Sequence, residues 1–174
     1  MMLADDLPIR FYPTARIVGL PDETPGIEGT PLPWRDIPIN LSGDLNLIVR
    51  DKNYILHYFH AIEIFIGLFA FCREFFVDAR PAQIWFGEQR WDNDAQNNVQ
   101  SHLLRALWPN LLVAPVLKRG DFVELENVVH VDRSLTVSPI NKFLSPLLPI
   151  AVKWGRELVR AVRPAPSRAT RFRS

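Results

Sequence analysis

The sequence predicts an α/β domain in which a mainly parallel β-sheet is flanked by helices. Apolar or alternating segments typical of strands occur at residues 45–50, 83–86, 111–116 and 122–131. Segments with helical spacing separate the first three of them, and this alternation is typical of a parallel sheet. The chain of 174 residues is 48% hydrophobic and has one cysteine, so we expect one buried core without an internal disulfide.

The N-terminal region, residues 1–42, is rich in proline. Seven of the fifteen prolines lie in the first forty residues. Proline lacks a backbone N–H and disfavours helix in the residue before it, so we expect neither a long helix nor a central strand here. The sequence therefore predicts an extended arm that wraps over the surface, with short extended pieces such as residues 17–20.

The first strand and the first helix follow this arm. Residues 45–50 alternate between apolar and polar positions, which predicts a strand. Asn53 is a suitable N-cap for a long helix over residues 54–76, and the segment 79–81 ends it. The uninterrupted apolar run of this helix, residues 64–72, has nine residues, whereas a bilayer requires about 20. We therefore predict a helix buried in the core.

The remaining elements are predicted from short local patterns. A buried strand over residues 83–86 is followed by a polar loop, and apolar residues at helical spacing predict a helix over 97–108. The turn at 118–121 joins the last two strands. The C-terminal predictions are a helix over 141–162 with a break near 146–149 and a disordered tail beyond 164.

The charge distribution divides the chain further. Residues 150–174 carry seven basic side chains and one acidic side chain, a net charge of +6, although the whole chain has a net charge of only +1. We predict an α/β lobe over residues 43–149 and a basic C-terminal helix and tail over 150–174. The basic face of this helix would suit a partner or an anionic membrane surface. The tail has no aromatic platform, so we expect no nucleic-acid binding.

The long helix carries the most notable polar residues. His57, His60 and Glu63 follow one another at steps of three, which places neighbouring side chains close together on a helix. They would suit general acid–base catalysis or could be polar groups satisfied at the start of a core helix. We predict no metal site because zinc-binding helices favour pairs four residues apart and no further ligand cluster is present in the sequence.

Two further groups of polar residues follow predicted strands. Asp132 and Arg133 come directly after the strand over 122–131, and Asp92 lies in the loop after residues 83–86. Ligands of open α/β sheets bind outside the carboxyl ends of the strands, so these residues are candidates for substrate binding. The alternative is an ion pair at a strand end. His102 and His130 stand alone in the sequence and are expected to be structural.

These segments, taken in order, resemble proteins of glycosyltransferase family 61, with the fungal-type members most similar. The resemblance covers roughly residues 43–135. It rests on four segments, residues 57–71, 83–86, 101–113 and 128–134, which read HYFHAIEIFIGLFAF, QIWF, SHLLRALWPNLLV and VVHVDRS.

The resemblance implies a Rossmann-like lobe of a GT-B-type enzyme. Such enzymes transfer a sugar from a nucleotide-sugar donor to a hydroxyl of a glycan or glycoprotein with inversion, and they generally need no cofactor. It implies catalytic roles for His57, His60 or Glu63 and a role for Arg133 beside the diphosphate.

The resemblance also implies a location in the secretory pathway, although no signal peptide or membrane anchor is expected from this sequence. Family members are commonly more than twice as long, so a truncated or reduced member without the donor-binding lobe is expected. The alternative function is a non-catalytic α/β domain that binds a partner or a membrane surface through its basic helix.

Overall fold

The computed structural model describes residues 9–21, 25–38, 40–49, 58–76, 78–86, 99–131 and 159–160. In chain order the elements are β1 (Ile9–Gly19), β2 (Pro25–Glu28), a 3-10 helix (Trp34–Asp36), β3 (Ser42–Val49), α1 (Tyr58–Phe75), β4 (Asp78–Phe86), α2 (Val99–Leu107), β5 (Leu112–Val113) and β6 (Phe122–Val131).

The strands of the described residues form one mixed sheet in the order β2-β1-β6-β3-β4-β5. β6, β3, β4 and β5 are parallel to one another, whereas β1 is antiparallel to both of its neighbours, β2 and β6. The predicted α/β class is therefore confirmed. The expectation of a mainly parallel sheet holds for four strands and is wrong at the edge formed by β1 and β2.

β1 lies within the region predicted to be an extended surface arm. It pairs along most of its length with β6 and at its end with β2, so the expectation that no central strand forms here is wrong for Ile9–Gly19. The register contains no pair at Pro13, which lies opposite Asn127, and Asn127 has a φ of 49°. The proline thus falls at an irregular point of the ladder, where a missing N–H disturbs the pairing least.

A second proline lies inside β4, which begins five residues before the strand predicted over 83–86. The register between β3 and β4 shifts at this point, because Leu45 faces Pro81 whereas the next residue, Asn46, faces Gln83. Ala82 is therefore the extra residue of a β-bulge. A bulge accommodates proline without removing a regular ladder hydrogen bond, which explains why the strand continues through it.

Most of the other predicted elements are confirmed. α1 and α2 lie within the helices predicted over 54–76 and 97–108, and β6 has the predicted bounds. β5 is shorter than predicted because only Leu112 and Val113 pair with β4. The predicted helix over 141–162 lies outside the described residues except for Val159 and Arg160, which are helical and exposed.

α1 and α2 cover one face of the sheet. We call this side the helix-covered face. Phe65, Leu68, Phe69, Phe71 and Cys72 of α1 pack there, which confirms the prediction of a buried core helix. None of the helices among the described residues is long and apolar enough to cross a membrane. The buried residues of this cluster are Ile9, Phe11, Leu45, Leu47, Val49, Phe65, Leu68, Phe69, Phe71, Cys72, Phe76, Ala79, Ile84, Phe86, Leu104, Leu107, Trp108, Val129 and Val131.

The opposite face of the sheet carries a second, smaller apolar cluster. Its buried members are Tyr12, Ala15, Ile17, Ile48, Trp85, Ala114 and Val128. In β6, Val123 and Leu125 pack on this cluster together with Val128, so the alternation of side chains shifts by one residue at Asn127. In β1 the alternation of side chains shifts in the same way at Pro13, which lies opposite Asn127. The two irregular residues therefore change which side chains face each side of the sheet.

Candidate functional site

Three parallel strands end side by side at one edge of the sheet. In the register, Val49 at the end of β3 faces both Phe86 at the end of β4 and Val131 at the end of β6. The carboxyl ends of these strands therefore lie at the same level. The segments that follow them in the chain leave the sheet at one common edge.

The chain order makes this edge a topological switch point. From β3 the chain passes through α1 to β4 and then through α2 to β5, on one side of β3, whereas β6 is placed on the other side of β3. Connections that diverge from two neighbouring strands leave a crevice between them, and ligands of open α/β sheets bind in such a crevice. The segment that follows β6 lies outside the described residues, so this edge is a candidate position for such a crevice.

The segments that follow these strand ends contain most of the predicted site residues. His57 precedes α1, Asp92 follows β4, and Asp132 and Arg133 follow β6. These four residues lie outside the described residues, so their assignment stays a prediction.

His60 and Glu63 fall within the first two turns of α1, the helix that follows β3. Their side chains lie outside the described part of the structure, so their catalytic roles also stay predictions.

The residues just below this edge form a row across the second face of the sheet. Ile48 faces both Trp85 and His130 in the register, one position before each strand ends. His130 is 5% exposed, and its ring centroid lies 6.3 Å from that of Tyr12, so it packs in the interior as expected for a structural histidine. His102, by contrast, is exposed on α2.

Trp85 is the residue in this row that the sequence pattern does not mark as a candidate site residue. Its side chain is 7% exposed, and its indole Nε1 has no hydrogen-bond partner among the described residues. A buried donor without a partner is costly unless a water or a ligand accepts its hydrogen bond. The only signal for it in the sequence was its position near the end of a short apolar strand.

A small cleft of about 230 Å³ lies at the opposite edge of the sheet, where β4 begins. The C-terminal parts of α1 and α2 line it with Cys72 and Trp108. Burial raises the pKa of the Cys72 thiol to about 12, so this thiol is protonated at neutral pH. A protonated thiol is a poor nucleophile, and the cleft therefore lacks an activated cysteine.

A larger cleft of about 640 Å³ lies over β1, β2 and β6, and we call it the charged cleft. Its lining residues are Thr14, Ala15, Arg16, Glu28, Gly29, Glu124, Leu125 and Glu126. The exposed acids of β6 were visible in the sequence, but their position opposite Arg16 required the pairing of β1 with β6. No group of three or more His, Cys, Asp or Glu residues within the described ranges could hold a metal ion.

Comparisons with known proteins add no identification. A scan against protein-family models finds no family model that matches, and neither curated proteins nor solved structures give a match.

Proposed function

We propose that the chain is a glycosyltransferase-like lobe that acts on a nucleotide-sugar and the hydroxyl of a glycan or glycoprotein. The observation that carries this proposal is the common level of the ends of β3, β4 and β6 at a topological switch point. The candidate residues of the sequence analysis belong to the segments that follow these ends. A crevice of this kind is where α/β sheets bind nucleotides.

The strand order supports the finer fold assignment that belongs to this proposal. The parallel part, β5-β4-β3-β6, follows the order 3-2-1-4 of a doubly wound, Rossmann-like sheet when its strands are numbered along the chain. A GT-B-type lobe is built on such a sheet. The antiparallel strands β1 and β2 are an addition at the edge beyond β6 and leave the switch point unchanged.

The proposed chemistry is a single displacement with inversion. His57, His60 or Glu63 would accept the proton of the acceptor hydroxyl as its oxygen forms a bond to the anomeric carbon. The bond from that carbon to the donor phosphate breaks, and the nucleoside diphosphate leaves with the electron pair. Arg133 would stabilise the charge of this leaving group, as guanidinium groups do for phosphates.

The remaining polar candidates would position the substrates. Asp92 and Asp132 follow β4 and β6 in the chain, and carboxylates accept hydrogen bonds from sugar hydroxyls. Trp85 Nε1, buried one residue before the end of β4, is a donor that an oxygen of the substrate or a water would satisfy. The crevice would thus offer both acceptors and a donor to a sugar nucleotide.

The position of the site is tested by titrating the chain with UDP and with GDP while amide and indole N–H signals are followed by NMR. We expect shifts at Val49 and Val131, at the carboxyl ends, and none at Ser42 and Phe122, at the other ends of the same strands. Shifts confined to Ser42 and Phe122 would place the nucleotide elsewhere and reject the site.

Catalysis is tested with a panel of nucleotide sugars, measuring hydrolysis and transfer. Removal of a general base lowers the rate by about 10²–10⁴-fold, so we expect such a loss for Glu63→Gln if Glu63 is the base. Asp78→Asn, at an exposed position on the opposite edge, is the matched control and should keep full activity. A folded chain without nucleotide binding and without turnover would support the non-catalytic alternative.

A further inference from the structure

We propose that the charged cleft binds the C-terminal segment of the same chain, residues 163–174, through its arginine side chains. The cleft lies on the helix-covered face, next to the part that α1 covers, and the segment lies outside the described residues. The inference does not depend on the proposed transferase activity, because the cleft lies away from the strand ends that form the candidate site.

The cleft is built around one arginine. In the register, Arg16 of β1 faces Glu28 of β2 on one side and Glu124 of β6 on the other, and Thr14 faces Glu126. The side chains of Arg16 and Glu124 are 47% and 70% exposed. The lining of the cleft thus carries three carboxylates and one guanidinium on an open sheet surface, which leaves an excess of negative charge.

Arg16 itself shows how this surface holds a guanidinium group. Its Nη2 donates to Glu124 Oε1 at 3.0 Å, and its Cζ lies 4.7 Å from the centroid of the Phe122 ring. Phe122 is nevertheless 59% exposed. A carboxylate beside an aromatic ring is a favourable environment for arginine, so the surface has the chemistry to bind further arginine side chains.

The other two carboxylates of the cleft are available for such side chains. Within the described part of the chain, Arg16 forms an ion pair with Glu124, and neither Glu28 nor Glu126 has an ion-pair partner. Both side chains are exposed. An exposed carboxylate is already in contact with water, so it can bind a cation without a large desolvation cost.

The C-terminal segment has the complementary chemistry. Residues 163–174 contain Arg163, Arg168, Arg171 and Arg173 and no acidic residue. Residues two apart in an extended chain lie on the same side about 7 Å apart, so Arg171 and Arg173 could reach separate carboxylates of the cleft at the same time.

The chain is long enough to reach the cleft. The 31 residues between Val131 and Arg163 can span much more than the length of β6, which is about 30 Å for ten residues. Exposed ion pairs are individually weak and are screened by salt, but a tethered segment is present at a high effective concentration. We therefore expect a salt-dependent contact within the molecule.

The experiment places one nitroxide spin label on the full chain at Ser174→Cys and measures the broadening of backbone amide signals by NMR. Cys72 is buried, so the new thiol is labelled selectively under native conditions. At low salt we expect broadening at Thr14, Arg16 and Glu126. In 1 M salt, where the Debye length is about 3 Å, we expect this broadening to be lost.

Two variants with the same change in charge test the specificity. Glu28→Gln with Glu126→Gln removes two carboxylates from the cleft and should abolish the broadening. Asp36→Asn with Asp78→Asn removes two exposed carboxylates outside the lining of the cleft and should leave it unchanged. Arg171→Gln with Arg173→Gln changes only the C-terminal segment and tests the contact without altering the sheet.

Three results would overturn the proposal. The first is the absence of broadening in the charged cleft at low salt, and the second is broadening that is confined to another surface. The third is an equal loss of broadening in the two double variants that remove carboxylates. This result would show non-specific attraction between a basic segment and an acidic protein. If the cleft variant does not fold, the arginine variant decides, because unchanged broadening after Arg171→Gln with Arg173→Gln contradicts the proposed contact.

Discussion

The two halves of β6 lie in different environments although they belong to one strand. Val128, Val129, His130 and Val131 are at most 5% exposed, since this half lies between β1 and β3 and has side chains packed on both faces. The half from Phe122 to Glu126 pairs with β1 but not with β3, and its residues alternate between exposed and half-buried. The number of neighbouring strands, and not the strand itself, thus decides burial.

Asn127 marks the boundary between these halves. Asn46 Nδ2 donates to the carbonyl of Glu126 at 2.8 Å, and Asn127 Nδ2 donates to the carbonyl of Asp44 at 3.5 Å. These side-chain amides bind backbone oxygens where the β3–β6 ladder ends. The alternation of side chains shifts at Asn127, which has a left-handed φ, so Val129 and Val131 lie on the helix-covered face and Val128 on the opposite face.

The largest expected effect is a difference in thiol reactivity between two parts of the helix-covered face. One part is packed against α1, and the other is the charged cleft. In a Thr14→Cys variant, the new thiol lies in the charged cleft, whereas Cys72 is buried with a pKa raised to about 12. An exposed thiol has a pKa of about 8.5, so at pH 7.5 its thiolate fraction is roughly 10³-fold larger. We expect the rates of reaction with a disulfide reagent to differ by at least this factor.

The control for this experiment is the same reaction in denaturant, where both thiols should react at similar rates. Rates within tenfold of each other in the folded protein would contradict the burial of Cys72.

The same substitution in each half of β6 tests the burial difference in energetic terms. Val129→Thr replaces a methyl group of a fully buried side chain with a hydroxyl, which should lower the free energy of unfolding by about 1–3 kcal/mol. Val123→Thr makes the identical change at a half-buried position and should cost less than about 0.5 kcal/mol. Urea denaturation measures both, and equal losses would reject the comparison.

The boundary residue is tested by two variants that both remove its amide. Asn127→Gly keeps easy access to a φ of 49°, whereas Asn127→Ala carries a Cβ that disfavours this conformation by about 1–2 kcal/mol. We therefore expect the alanine variant to be less stable than the glycine variant by about 1 kcal/mol in urea denaturation. An alanine variant as stable as the glycine variant would show that the left-handed conformation is not required.

The ion pair between Arg16 and Glu124, which lies at the exposed half of β6, should make the smallest contribution to stability. A double-mutant cycle with Arg16→Gln and Glu124→Gln should give a coupling free energy of about 0.2–1 kcal/mol, because both side chains are largely exposed. High salt should reduce this coupling further. A larger coupling that persists in salt would mean that the charged cleft is desolvated.

Local sequence patterns predicted the elements whose own residues show a clear helix or strand pattern. β6 has the predicted bounds because its side chains are strand-like throughout, and α1 was identified from its apolar run. β1 was not predicted because the prolines of residues 1–42 argue against a central strand. The structure removes this objection, because Pro13 lies at an unpaired position of the ladder opposite Asn127.

The candidate site also combines features that the sequence shows with features that depend on the tertiary structure. Polar residues after strands could be found in the sequence, but the neighbouring positions of the ends of β3, β4 and β6 depend on strand order. Trp85 and the charged cleft were not predicted, because the burial of an indole N–H and the position of Arg16 between two glutamates arise from residues far apart in the chain.

The sequence by itself determined the α/β class, the buried helix, the bounds of β6 and the contrast between an acidic body and a basic C-terminal segment. These features depend on the type and spacing of residues within about ten positions of one another. The tertiary structure decided the antiparallel edge, the switch point between β3 and β6 and the different burial of the two halves of β6. These depend on pairs such as Ile9 with Val131, which local periodicity cannot specify because either strand could satisfy its hydrogen bonds with another partner.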